Sequence, residues 1–224
     1  MKLEELAIAY AKAIGKQPLS EPELRKRLHA LDAPLREAFF TSALVLTEGV
    51  SDIGVLAAEA EKADIDLEAL GIVAAPFDGK GQLPLAVTIL SLLGIAHFAI
   101  FDSDGPQQAQ DNRDLLSALR ADPSDIPDSG VPETMVRANY AVLNRNLEFI
   151  LARDFGEADY TECVRAAGLM YGSNIDKVMK NPVSAQAVIR LLHQRGKSSA
   201  TLENIVKSIS ALTIVGRAGP GKLD

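Results

Sequence analysis

Three short apolar runs, each stopped by a turn that carries glycine or acid, constrain this 224-residue chain more than any other feature. The first is Ala43 to Leu46, followed by Thr47, Glu48 and Gly49 and then a helical pattern from Ser51 to Ala63. The second is Gly71 to Ala75, with the loop Pro76 to Gln82 and a helical pattern from Leu83 to Leu93. The third, Ala96 to Phe101, ends at Asp102. Strands alternating with helices in this way predict a parallel sheet joined by right-handed crossovers, an α/β fold. In such sheets functional residues gather at the C-terminal ends of the strands.

The rest of the chain is arranged around that unit. Apolar residues at three- and four-residue intervals predict helices over Leu3 to Ile14 and Glu21 to Phe40. A further helix is predicted over Asp111 to Arg120, then a surface loop rich in Asp, Ser and Pro over Asp122 to Pro132. Tyr140 to Leu143 reads as a fourth strand and Leu147 to Arg153 as the start of a helix, after which the periodicity is helical through Ala185 to Gln194 and Leu202 to Leu212. The expected organisation is N-terminal helices over 1–40 and a catalytic core over 41–153, with a helix and loop inserted at about 106–138. A helical domain over 154–216 and a flexible tail over 217–224 complete it.

Composition removes several function classes. Cys163 is the single cysteine, which excludes an internal disulfide framework and a cysteine zinc cluster, and it reads as a buried filler. His29, His97 and His193 are scattered without metal-binding spacing, so any metal here is a hard, oxygen-bound ion. The apolar stretch Ala86 to Phe101 is broken by Gly94 and His97, no stretch spans a bilayer, and the Met-Lys-Leu-Glu-Glu start lacks a secretory core, so a cytoplasmic protein without membrane contact is expected. A net charge of −7 argues against holding nucleic acid by bulk charge alone. Yet ten acids lie between Thr41 and Gly105 against Lys62 and Lys80, whereas eight Lys or Arg lie between Lys177 and Lys222 against Glu203. An acidic centre beside a basic tail suits a phosphate polymer lying across both, and Arg190, Arg195, Lys197 and Lys207 are the candidate DNA-binding residues.

The chemistry-bearing cluster lies at the predicted strand ends. Glu48 sits just past the first strand, Gly49 frees the backbone for a sharp turn, and Asp52 falls in the first turn of the next helix. Asp52 has a second reading as a first-turn acid beside the helix dipole, with Ser51 as the N-cap. At the third strand end, Asp102-Ser103-Asp104-Gly105 projects two carboxylates to one side. If the strands are neighbours, four carboxylates meet at one sheet edge. Their repulsion is relieved most simply by magnesium or manganese, and two such ions about 4 Å apart can flank a scissile phosphate.

The segments Leu44-Val45-Leu46-Thr47-Glu48-Gly49-Val50-Ser51-Asp52 and Phe101-Asp102-Ser103-Asp104-Gly105 resemble the Toprim signature, a Glu after one strand and an Asp-x-Asp after a later one. With Asp78-Gly79-Lys80-Gly81 between them and Phe39-Phe40 ahead, the region Arg36 to Gly105 resembles the Toprim half of the overcoming-lysogenisation-defect (OLD) family of ATP-dependent nucleases, and more weakly so to about Lys207. That family commonly carries Glu-Gly-x-Thr-Glu, so Asp52 is one methylene shorter and Ser51 replaces Thr. The resemblance implies a Rossmann-like Toprim sheet with an added helical domain, and Mg²⁺- or Mn²⁺-dependent endonuclease activity with two ions. It implies metal ligands at Glu48, Asp52, Asp102, Asp104 and Glu148, the last being the match for a later family acid. It also implies a catalytic lysine, for which Lys180 is placed ahead of Lys207 and Lys197, and a supporting role for Gly49, Ser51, Gly79, Lys80 and Ser103. The partners implied are DNA, an ABC-type ATPase domain if this is a fragment, and a helicase, in phage defence. Separately, the apolar stripe of the helices at Leu3 to Phe40 is expected either to pack internally or to make a homo-oligomer.

Other readings stay open at this point. Neither Gly79-Lys80 nor Gly219-Pro220-Gly221-Lys222 completes a Walker pattern, so ATP binding by this chain is not expected. Tyr10, Tyr140, Tyr160 and Tyr171 lie in apolar contexts, which counts against a topoisomerase nucleophile. A primase-like protein and a non-catalytic, magnesium-stabilised module remain as alternatives.

Overall fold

The structure, a computed structural model, describes residues 2–217. Two helices, α1 (Leu3–Ile14) and α2 (Glu21–Ala38), precede the first strand β1 (Ala43–Thr47). Then follow α3 (Val50–Lys62), β2 (Ile72–Pro76), α4 (Leu83–Leu93), β3 (Ala96–Asp102) and α5 (Ala109–Ala118). The chain continues through β4 (Met135–Val136), β5 (Tyr140–Leu143), α6 (Leu147–Phe155), α7 (Glu157–Tyr171), α8 (Ile175–Val178), α9 (Pro182–Gln194) and α10 (Ala200–Arg217). The expected tail, including Gly219 to Lys222, lies outside the described residues.

The five strands form one sheet in the order β2-β1-β3-β5-β4, parallel except for the last pair. The strand predicted as the fourth is thus the fifth. The two-residue β4 was not foreseen, and it makes one edge antiparallel. At two residues β4 is too short to show a periodicity.

Alternate strand residues point to opposite faces, and both faces are covered. Val45, Phe98, Ile100, Ala141 and Leu143 enter one core with α3, α6, α7, α9 and α10. Leu44, Leu46, Ala99, Phe101, Tyr140 and Val142 enter the other with α1, α2, α4 and α5. This is why the strands read as unbroken apolar runs. The helices after Glu157 therefore pack directly on the sheet, sharing one hydrophobic cluster with it.

Helices α3 and α9 make the closest approach. A Cβ placed on Gly54 would lie 2.0 Å from the carbonyl oxygen of Pro182, so the two backbones touch where glycine alone fits. Farther along, the buried Glu59 accepts from or faces His193 Nε2 at 3.0 Å. Cys163 is buried, as expected. Among the described residues no helix is long and apolar enough to cross a membrane.

Candidate metal-binding site at the sheet edge

Strand order brings the two acidic segments together. Strand β1 lies directly beside β3, with Ala43 opposite Ala96 and Leu46 opposite Ala99, so Glu48 and Asp102 leave neighbouring strands at nearly the same level. The main-chain N–H of Asp102 donates to Glu48 Oε1 at 2.8 Å, which fixes that carboxylate across the strand boundary. Asp52 Oδ2 accepts the Gly49 N–H at 3.0 Å. The N-cap of α3 is Gly49 and not Ser51 as expected, because Asp52 at the third helical position reaches back to the cap amide. Asp52 therefore takes the capping role, which is compatible with the metal-binding role the sequence predicts for it.

Lys80 stands between two of the acids. Its side chain is only 3% exposed, and its Nζ lies 2.7 Å from Asp104 Oδ2 and 4.0 Å from Glu48 Oε1. The loop that delivers it is strained, with Asp78 at φ 49° and Gly79 at φ 102°. That loop is tied to β1 by the Gly79 N–H, which donates to the Glu48 carbonyl at 3.1 Å. The sequence placed Lys80 only in support. Its weight follows from burial between two carboxylates, a relation between separate loops, 24 residues apart for Asp104, that carries no local signal.

Asp104 also has a left-handed backbone, φ 52°. Its N–H donates to the Arg145 carbonyl at 2.8 Å, and the Arg145 N–H donates to Ser103 Oγ at 3.0 Å. Ser103 is fully buried, and its carbonyl accepts from Asn112 Nδ2 at 2.8 Å. The Asp-Ser-Asp-Gly loop is thus held from two sides.

The electrostatics follow from this crowding. Burial pushes the Asp102 carboxyl up to about 8, helped by the charges of Glu48, Asp52, Asp104 and Glu148. Burial likewise pushes Asp52 up to about 7 against the lowering effect of the Gly49 N–H, with Glu48 and Glu148 adding to the rise. Glu48 is raised by burial and held back by Lys80 and by the amide of Asp102. Carboxyls driven toward neutrality by desolvation and by one another suit a hard divalent cation, which replaces the proton as counter-charge. Among the described residues no three His, Cys, Asp or Glu side chains already converge as a ligand set, since Lys80 holds Asp104. The donor chemistry fits a divalent ion, with Asp52 and Asp102 as the carboxylates most in need of one.

The predicted helpers also meet. Lys180 Nζ lies 3.3 Å from Glu148 Oε1, joining the turn before α9 to the first turn of α6. Glu148 in turn acts on both Asp52 and Asp102. The candidate DNA-binding residues are placed differently. Arg190 pairs with Glu61 near the far end of α3, and Arg195 and Lys197 pair with Asp159 on the first turn of α7. Four cations of the C-terminal sequence, Lys180, Arg190, Arg195 and Lys197, are thus matched by acids from other segments. Lys207 lies on α10 in a groove with Thr134, Met135 and Val136.

Comparison with known proteins agrees with this geometry. Residues 39–104 match the family model described as overcoming lysogenization defect protein-like, TOPRIM domain. No curated protein matches the chain. Among solved structures, the C-terminal region of the Burkholderia pseudomallei OLD protein aligns with a TM-score of 0.56 and 19% identity, over 78% of this chain and 99% of that one. The C-terminal region of the Xanthomonas campestris pv. campestris OLD protein aligns with a TM-score of 0.56 and 20% identity, over 80% of this chain and 99% of that one. Residues 39–104, which span both halves of the acidic cluster, thus match the OLD-like TOPRIM family model, and most of the chain shares the fold of OLD C-terminal regions.

Proposed function

We propose that the chain is a Mg²⁺- or Mn²⁺-dependent DNA endonuclease, the catalytic half of an OLD-type nuclease. The observation that carries this reading is the meeting of Glu48, Asp52, Asp102 and Asp104 at the C-terminal edge of adjacent parallel strands, with Lys80 between Glu48 and Asp104. Glu48, Asp52, Asp102, Asp104 and Glu148 would hold two divalent ions, which when bound supply activated water and charge stabilisation for phosphodiester hydrolysis.

The protein's own groups do the rest. The Asp102 amide and the Gly49 amide orient Glu48 and Asp52 before any substrate arrives, so little reorganisation is left for the reaction itself. Lys80, buried and paired with Asp104, places its ammonium beside the acids where a phosphate must approach. Lys180, at 70% exposure, is free to swing from Glu148 to an incoming phosphate oxygen and stabilise its developing charge. The full-length protein would carry an ATPase domain as well.

A non-catalytic, ion-stabilised module is the second reading, and the Lys80–Asp104 pair favours it by neutralising one of the acids. Supercoiled plasmid separates the two. Incubation with Mg²⁺ or Mn²⁺ is expected to give nicked or linear product, and Asp102→Ala is expected to abolish it. Intact plasmid under every metal condition overturns the nuclease.

A further inference from the structure

The loop after β5 carries an arginine that the site described so far does not use. Arg145 is exposed at the C-terminal sheet edge, and its guanidinium makes no ion pair among the described residues. Arg137, Arg153, Arg190 and Arg195 each face a carboxylate, whereas Arg145 faces none although its loop is bonded to the Asp102-Ser103-Asp104 segment.

Its placement is unusually well determined for a surface residue. The backbone is left-handed at φ 64°, which a long side chain rarely adopts. Two main-chain hydrogen bonds, from Asp104 N–H to its carbonyl and from its own N–H to Ser103 Oγ, register it to the Asp102-Ser103-Asp104 loop. The guanidinium carbon then lies 4.5 Å from the centre of the Phe149 ring. Stacking restrains the side chain while leaving its edge N–H groups free, the arrangement that suits bidentate contact with a phosphate.

Together these contacts fix a guanidinium at a set distance from the candidate catalytic aspartates. Resting on the nuclease reading above, we propose that Arg145 is a substrate-positioning residue that grips a DNA backbone phosphate flanking the one cleaved. Phe149 serves as its platform. The strand is thereby set in register with the acidic cluster, which by itself repels DNA. The contact is to phosphate and so is indifferent to base sequence.

The test uses the full chain with a fluorescein-labelled duplex, read by anisotropy with Ca²⁺ in place of Mg²⁺ over a series of salt concentrations, and by cleavage kinetics with Mg²⁺. Arg145→Asn removes the charge with a residue that tolerates the left-handed backbone, Arg145→Lys keeps the charge without the fork, and Phe149→Leu removes the platform alone. Loss of one phosphate contact should flatten the slope of log K against log salt by about 0.9 in Arg145→Asn. KM should rise about ten-fold, as for a lost charged hydrogen bond, with kcat changed much less. Arg145→Lys should recover the slope but only part of the KM, and Phe149→Leu should raise KM with the slope retained. Unaltered slope and KM in Arg145→Asn, while the wild type cuts, overturn the role of Arg145 alone. A wild-type chain that neither binds nor cuts DNA overturns both readings.

Discussion

Replacing Gly54 with alanine tests the packing that holds α9 against α3. In isolation the change should help, because alanine is favoured over glycine within a helix by about 1 kcal/mol. Here the new Cβ would stand 2.0 Å from the Pro182 carbonyl oxygen, 2.8 Å from its carbon and 2.9 Å from its Cα. Ordinary carbon–oxygen contacts begin near 3.3 Å, so the helices must part by roughly 1 Å. Overpacking of this kind costs about 1–3 kcal/mol or more. All three obstacles are backbone atoms, so the upper end of that range applies, and the net loss after the helix gain is about 2 kcal/mol. For a chain of this size that lowers Tm by about 4–8 °C. Urea unfolding of Gly54→Ala beside wild type measures it. Since the obstruction is main-chain, Pro182→Ala should not rescue the double variant. A Gly54→Ala protein as stable as wild type, or one rescued by Pro182→Ala, would refute the packing argument.

Two further outcomes follow from the charged groups. Lys80→Met leaves Asp104 and Glu48 without their ammonium, and because Asp104 is partly exposed the loss should be about 2 kcal/mol, below the 3–5 kcal/mol of a fully buried pair. Thermal unfolding should show that deficit shrinking on addition of Mg²⁺, and a deficit that Mg²⁺ leaves untouched would contradict the shared role of lysine and ion. Asp125 is held below the usual carboxylate range by hydrogen bonds from Arg137 and Tyr140, so the unfolded chain takes up its proton first on acidification. Its contribution is present above pH about 4 and is lost as pH falls toward the lower folded value, so unfolding followed from pH 6 to pH 3 should be less steep in Asp125→Asn than in wild type.

The parts of the molecule visible in the sequence are those whose signals are local. Leu3–Ile14, Leu83–Leu93 and Tyr140–Leu143 fall on predicted bounds because a buried face imposes its own period on consecutive residues. Glu48, Asp102 and Asp104 were legible because a strand end and a turn occupy adjacent positions. What was hidden depends on distant pairing. Lys80 looked like half of a phosphate loop until the fold set it between Glu48 and Asp104. The eight-cation tail looked like a binding face, yet Arg190, Arg195 and Lys197 answer Glu61 and Asp159. The importance of Gly54 was invisible as well, since nothing in the helix it belongs to announces Pro182.

The hydrogen bond from the Asp102 amide to Glu48 has a practical consequence. Because the donor is main chain, any residue at position 102 except proline supplies it. Changing the Asp102 side chain therefore removes its carboxylate without dismantling the edge, leaving the main-chain hydrogen bond to Glu48 in place. If the proposed nuclease activity holds, such a variant would be a snare, able to retain its polymer while unable to release it by cutting, and so suited to capturing the natural target intact.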